Sequence, residues 1–153
     1  MSHYLSLLDT AGLLTGLEKY AAGIIRKRSS SPKFQVHNTA LISAQQNDLF
    51  EEIKIHPAKW GRMVESALGA HFVNAAHVDG FNVYYWRHRN EEVDFVLEKK
   101  GRVVALEVKT GADVKTPGMR TFQDQFKPDK ILLAGKKGIP WQELLSINPV
   151  ELF

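Results

Sequence analysis

Asp94, Glu107 and Lys109 are the residues of this chain whose types and spacing most suggest chemistry. Asp94 lies in the run Val93–Glu98 and Glu107 in the run Arg102–Lys109, both rich in the apolar and β-branched residues of strands. The link Lys99–Gly101 is short and polar, so the two runs are expected to pair as an antiparallel hairpin. A turn about Lys100-Gly101 places Asp94 directly opposite Glu107, and Glu92 opposite Lys109. Directly opposed side chains have Cβ atoms about 4.5–5.5 Å apart, and like charges in that position repel. A metal ion, a shared proton or a nearby cation must offset the repulsion. Lys109 projects from the same face as Glu107, and Val108 between them points the other way. Two carboxylates with a lysine one pleat away suit Mg²⁺ (or Mn²⁺), an ion that takes one or two carboxylates, waters and a substrate phosphate. The bound ion polarises the phosphate and acidifies an attacking water. Beside a cation the Lys109 ammonium is expected to lose its proton more easily and so to orient or deprotonate that water; otherwise it stabilises charge on the phosphate.

Context selects this site, because Glu-x-Lys alone is weak. Glu52-Ile53-Lys54 and Glu98-Lys99-Lys100 have the same pattern. Only Glu107 follows an apolar strand and faces an aspartate. Upstream, Gly61 to Val78 reads as one helix with Met63, Val64, Ala67, Leu68, Phe72 and Ala75 as its apolar stripe. Glu65 falls on the border of that stripe, either as a site carboxylate or as a solvated acid. Asn82–Trp86 is a third strand, antiparallel to the next. Thr116-Pro117 starts a helix that ends before Pro128, and Lys130–Ala134 is a strand expected to run parallel to Arg102–Lys109. The residues from Ile139 onward have no assigned place. Trp86, Arg87 and Arg89, near the hairpin beside the site, offer a weak nucleic-acid grip with Trp86 stacking on a base, or else Trp86 is core.

The first third reads as a smaller unit. Tyr4, Leu7, Leu8 and Ala11 have helical spacing, Leu13 to Leu17 and Phe34-Gln35-Val36 are short strands, and Asn38 or Thr39 opens another helix. A helix, two strands and a basic loop with Arg26-Lys27-Arg28 resemble the end of a winged helix. That loop either touches phosphates or is merely solvated. The division expected is a partial winged-helix-like segment over 1–48, a polar linker over 49–60 and an α/β domain over 61–153. The chain begins almost directly in a helix, so it reads as a fragment of a longer protein.

Composition narrows the classes. The 153 residues are 44% hydrophobic and 24% charged with net charge +3, as in ordinary globular proteins. Residues 1–60 and 61–153 differ little in charge, and no repeat is present. There is no cysteine, which excludes disulfides, iron–sulfur clusters and thiol nucleophiles. The histidines form no H-E-x-x-H set, and G-x-S-x-G, G-x-G-x-x-G and G-x-x-x-x-G-K-[ST] are all absent. Serine-hydrolase, dinucleotide and P-loop ATP chemistry are thus unsupported. No apolar run exceeds four residues, where a membrane helix needs about 20, and neither a signal peptide nor a membrane partner is expected. A cytoplasmic protein is the plain expectation.

Asp94, Glu107-Val108-Lys109 and the helix-borne Glu65 together resemble the PD-(D/E)XK nuclease core, with Val93 where that motif has its proline. More narrowly, Tyr4–Leu13, Ser31-Pro32-Lys33-Phe34, Tyr84-Tyr85-Trp86-Arg87, Glu92–Val96 and Leu106–Lys109 resemble a bacterial and archaeal domain of unknown function, which follows an AAA+-type ATP-binding module in long proteins. The resemblance implies an α/β fold: a nuclease-like mixed sheet built from a helix, three antiparallel strands, a crossover helix and a parallel strand. It implies Glu65, Asp94, Glu107 and Lys109 as active-site residues, with Asp94, Glu107 and the Val108 carbonyl as ligands of Mg²⁺ or Mn²⁺. It also implies DNA as substrate and an ATPase module on the parent chain. Nuclease-like folds also serve without cutting, so a non-catalytic module that binds nucleic acid or docks a partner is the competing expectation.

Overall fold

The computed structural model describes residues 3–21, 31–111 and 116–153. Arg26, Lys27 and Arg28 lie outside the described residues. The chain order is α1 (His3–Thr10), β1 (Leu14–Lys19), β2 (Lys33–Val36), α2 (Ala40–Ser43), α3 (Phe50–Ile55), α4 (Pro57–Asp79), β3 (Asn82–His88), β4 (Glu91–Lys99), β5 (Arg102–Lys109), α5 (Pro117–Phe126), β6 (Lys130–Gly135), α6 (Trp141–Ser146) and a 3₁₀ turn, Pro149–Leu152. The fold is mixed α/β, with one six-stranded sheet in the order β2-β1-β3-β4-β5-β6.

The β4–β5 hairpin has the expected turn. Lys100 (φ 50) and Gly101 (φ 82) both take positive φ, the requirement of a two-residue turn whose twist matches the strands. That turn sets the register, which runs from Lys99↔Arg102 through Phe95↔Leu106. β3 is antiparallel to β4, and the crossover through α5 brings β6 parallel to β5.

Two expectations about organisation change. β1 is not part of a separate unit: it pairs with β2 and runs parallel to β3 through Glu18↔Tyr84 and Lys19↔Tyr85, so the first third extends the main sheet. Residues 49–60, expected as a linker, hold α3 and the first turn of α4. α4 starts at Pro57, which suits the first helical turn, where no N–H partner is needed. Ile53 of α3 is buried, so the polar look of this stretch hides an apolar anchor.

Each face of the sheet is covered. On one, Val64, Leu68 and Phe72 of α4 pack with Phe95, Leu97, Val104 and Leu106. On the other, Met119 and Phe122 of α5 pack with Tyr84, Trp86, Val93, Val96 and Ala105. Burial on both faces explains why β4 and β5 read as near-continuous apolar runs. The segment from Ile139 closes the α4 side: Leu144 and Leu152 join that core, and His71 Nε2 lies 3.0 Å from the Ile147 carbonyl oxygen. His71 is thus a satisfied packing histidine.

Candidate functional site

β4 changes face just where the chemistry is concentrated. Tyr84 pairs with Val96 and Trp86 with Val93, so Asp94 and Phe95 together stand opposite Tyr85. This is a β-bulge, an extra residue that redirects side chains. Its effect is visible in the packing: Val93 lies in the α5-side core and Phe95 in the α4-side core, although period-two alternation would put them together.

On its other edge β4 parts from β5. The ladder stops at Phe95↔Leu106, while β5 continues beside β6 to Lys109↔Gly135. The Asp94 carboxylate enters the fork, where its Oδ2 accepts from the Val108 backbone N–H at 2.7 Å. The regular cross-strand pair expected between Asp94 and Glu107 is therefore replaced by a side chain bonded to the facing backbone. What Val108 supplies here is its N–H; its carbonyl was the expected donor to a metal.

The charges around the fork act on one another. Lys109 Nζ lies 2.8 Å from Glu107 Oε1. Glu107 Oε2 is buried without a hydrogen-bond partner among the described residues. Desolvation raises the Glu107 pKa, against the hydrogen bond and charge of Lys109. Asp94, with its side chain 15% exposed, is pushed up to about 7. Burial is the main cause, and the Glu65 charge adds to it against the Val108 N–H and Lys33. For Lys109, burial works to lower the pKa, but the hydrogen bond and charge of Glu107, with Asp94 and Glu65, outweigh it. The net shift is upward. With no ion between them, the acidic neighbours hold the proton on Lys109; the expectation that it gives up its proton concerns the site with a cation bound.

Lys33 was missing from the expected set. It lies on the edge strand β2, and its Nζ donates to Glu65 Oε1 at 2.6 Å. It also sits 3.4 Å from Glu92 Oε1 and 4.0 Å from Asp94 Oδ1, and 5.5 Å from the Phe95 ring centroid. Burial works to lower its pKa, and Glu65, Asp94 and Glu92 raise it more. Its one sequence clue is membership of Ser31-Pro32-Lys33-Phe34, among the segments that carry the resemblance. A lone lysine on a short strand otherwise reads as an edge residue that blocks further pairing.

Removing Lys33 leaves three acids facing one another. Lys33→Met is expected to lose about 1–2 kcal/mol at pH 8, between the values for exposed and buried pairs because the side chain is 25% exposed. The Asp94 share of that loss is expected to fade as pH falls through about 7 toward 4, where this carboxyl takes up its proton. Urea melts at pH 8 and pH 4 measure it; an equal loss at both would assign Lys33 a packing role.

The weak nucleic-acid set divides. Trp86 is 2% exposed and packs edge-to-face on Phe122, so it is core and cannot stack on a base. Arg87 pairs with Glu92 at 2.9 Å. Arg89 is exposed at the β3–β4 turn with φ 54.

Among the described residues, Asp94 Oδ1 has the Lys33 ammonium at 4.0 Å and Glu107 Oε2 is buried without a hydrogen-bond partner; carboxylate oxygens are the donor type that Mg²⁺ takes. No group of three or more His, Asp or Glu side chains is assembled to hold a metal among the described residues. Glu65, the third acid expected there, is turned to Lys33.

A family described as a domain of unknown function, DUF4143, matches residues 60–153, more than half of the chain. The chain belongs to that family. The DUF4143 match contains Glu65, Asp94, Glu107 and Lys109 and begins after Lys33. No curated protein matches the chain. No helix among the described residues is long and apolar enough to cross a membrane.

Proposed function

We propose that this DUF4143 chain is a PD-(D/E)XK nuclease-like domain that hydrolyses DNA phosphodiesters with Mg²⁺ or Mn²⁺, as a part of a longer AAA+-type ATPase. The observation that carries this reading is Glu107 Oε2, buried without a hydrogen-bond partner among the described residues, close to the Asp94 carboxylate at a fork where two strands part. Burying an acceptor without a partner is costly, and a cation would remove that cost. Asp94 and Glu107 would hold the ion, which when bound polarises the phosphate and acidifies water. Lys109, kept charged by Glu107, stabilises negative charge on the phosphate. The Val108 N–H fixes the Asp94 carboxylate in the fork.

Lys33 favours a second reading. Its ammonium already neutralises Glu65 and Glu92 and approaches Asp94, as expected for a non-cutting accessory module that binds nucleic acid or docks a partner.

The test is incubation with branched, linear and single-stranded DNA in Mg²⁺ or Mn²⁺, beside Asp94→Ala. Cleavage by the native protein alone supports the first reading. Equal cleavage by both proteins marks contamination and removes the nuclease claim. DNA bound but uncut by either protein favours the accessory module.

A further inference from the structure

We infer that the cleft beside the acidic fork binds an unpaired nucleotide, so that the DNA recognised is single-stranded or branched and not continuous duplex. The inference rests on the nuclease-like reading for its link to cleavage, but its binding claim stands on separate residues. The cleft has a volume of about 730 Å³, within the range of small-ligand sites. Its wall includes Thr110 and Gly111, which directly follow Lys109. A strand seated at Lys109 therefore meets the cleft next. α4 closes that wall, since a Cβ on Gly61 would stand 3.3 Å from Thr110 Oγ1.

The chemistry of the lining selects the occupant. Trp60 and Trp141 are half-buried and pack edge-to-face, with centroids 5.8 Å apart at 76°. Each ring braces the other, which lowers the entropy lost when a planar group stacks on one of them. Lys54 and Lys136 are exposed, and neither forms an ion pair among the described residues. The described lining contains no carboxylate. Among the described residues, rings with two unpaired cations and no acid suit a base attached to phosphate. In duplex DNA the bases are stacked on one another, so only an unpaired or extruded base can use an aromatic platform. An apolar ligand would leave both lysines unused, and an acidic peptide would leave the paired rings unused.

The test uses the full chain carrying Asp94→Asn, so that nothing is cut, with a 12-nucleotide oligothymidylate and a duplex of the same length. Trp86 is buried, so quenching of tryptophan fluorescence reports on Trp60 and Trp141. The expected result is quenching by the single strand only. Trp141→Ala should weaken binding by about tenfold, since one stacked base contributes about 1–3 kcal/mol. The double variant Lys54→Glu/Lys136→Glu changes only exposed side chains and so stays folded. It should weaken binding at least as much and flatten its salt dependence. Equal affinity of the double variant and its parent, or equal quenching by duplex, overturns the proposal. Quenching and Lys-dependent binding by a chain whose native form cuts nothing would keep the cleft and remove the nuclease reading.

Discussion

At pH 8 the Asp94→Asn protein is expected to be more stable than the native protein, by about 1–3 kcal/mol, and under the nuclease function proposed above its cleavage of DNA should fall by on the order of 10³-fold or more. Asp94 has its pKa raised from 3.8 to about 7 in the folded protein. A carboxyl raised in this way holds its proton in the native state and releases it on unfolding. Between about pH 4 and pH 7 the native state binds more protons, so stability falls as pH rises through that window. Three units correspond to at most about 4 kcal/mol. Sharing of the shift among Glu65, Lys33 and Glu107 brings the expectation below that limit. Asparagine keeps an oxygen for the Val108 N–H and removes the charge. Below pH 4 the two proteins should converge. Thermal melts at pH 3.5 and pH 8, with and without Mn²⁺, check this. Mn²⁺ should stabilise the native protein and leave Asp94→Asn unchanged, because a ligand stabilises only the form that binds it. If Asp94→Asn proves less stable at pH 8, the carboxylate is a structural support and its assignment as a strained functional group fails. Gain of stability with loss of activity is the signature of a site kept for chemistry.

Gly118→Ala should cost about 3 kcal/mol or more, which for a chain of this size lowers the melting temperature by roughly 10 °C. A Cβ at Gly118 would stand 2.2 Å from the Glu92 carbonyl oxygen and 2.7 Å from its nitrogen. Those are backbone atoms of a strand buried on both faces, and they cannot swing aside as a side-chain tip can. The first turn of α5 would have to lift from β4, loosening Met119 and Phe122 from the core around Trp86 and Val93. Lifting α5 also shifts the strand that carries Glu92 and Asp94. The variant should therefore blur the pH dependence just described as well as melt early. Circular dichroism melts measure the first effect; an unchanged melting temperature would mean that α5 docks loosely.

The sequence alone determined the frame around the site. Local rules suffice for that: Lys100-Gly101 forces a tight turn, the turn sets the β4–β5 register, and the crossover through α5 makes β6 parallel. They also bring Asp94, Glu107 and Lys109 to one neighbourhood. Local rules could not supply the bulge at Asp94–Phe95, because the alternation of β4 looks regular until its two flanking cores are known. Nor could they show that β5 leaves β4 after Leu106 to follow β6, which opens the fork that Asp94 fills. Lys33 was hidden for the same reason. It lies far from Glu65 and Asp94 in sequence, and a charge on an edge strand acquires meaning only when β1 carries β2 into the main sheet. The protonation of Lys109 and Asp94 also belongs to the tertiary structure. Burial and neighbouring charge decide it, and both are properties of space that no residue spacing contains.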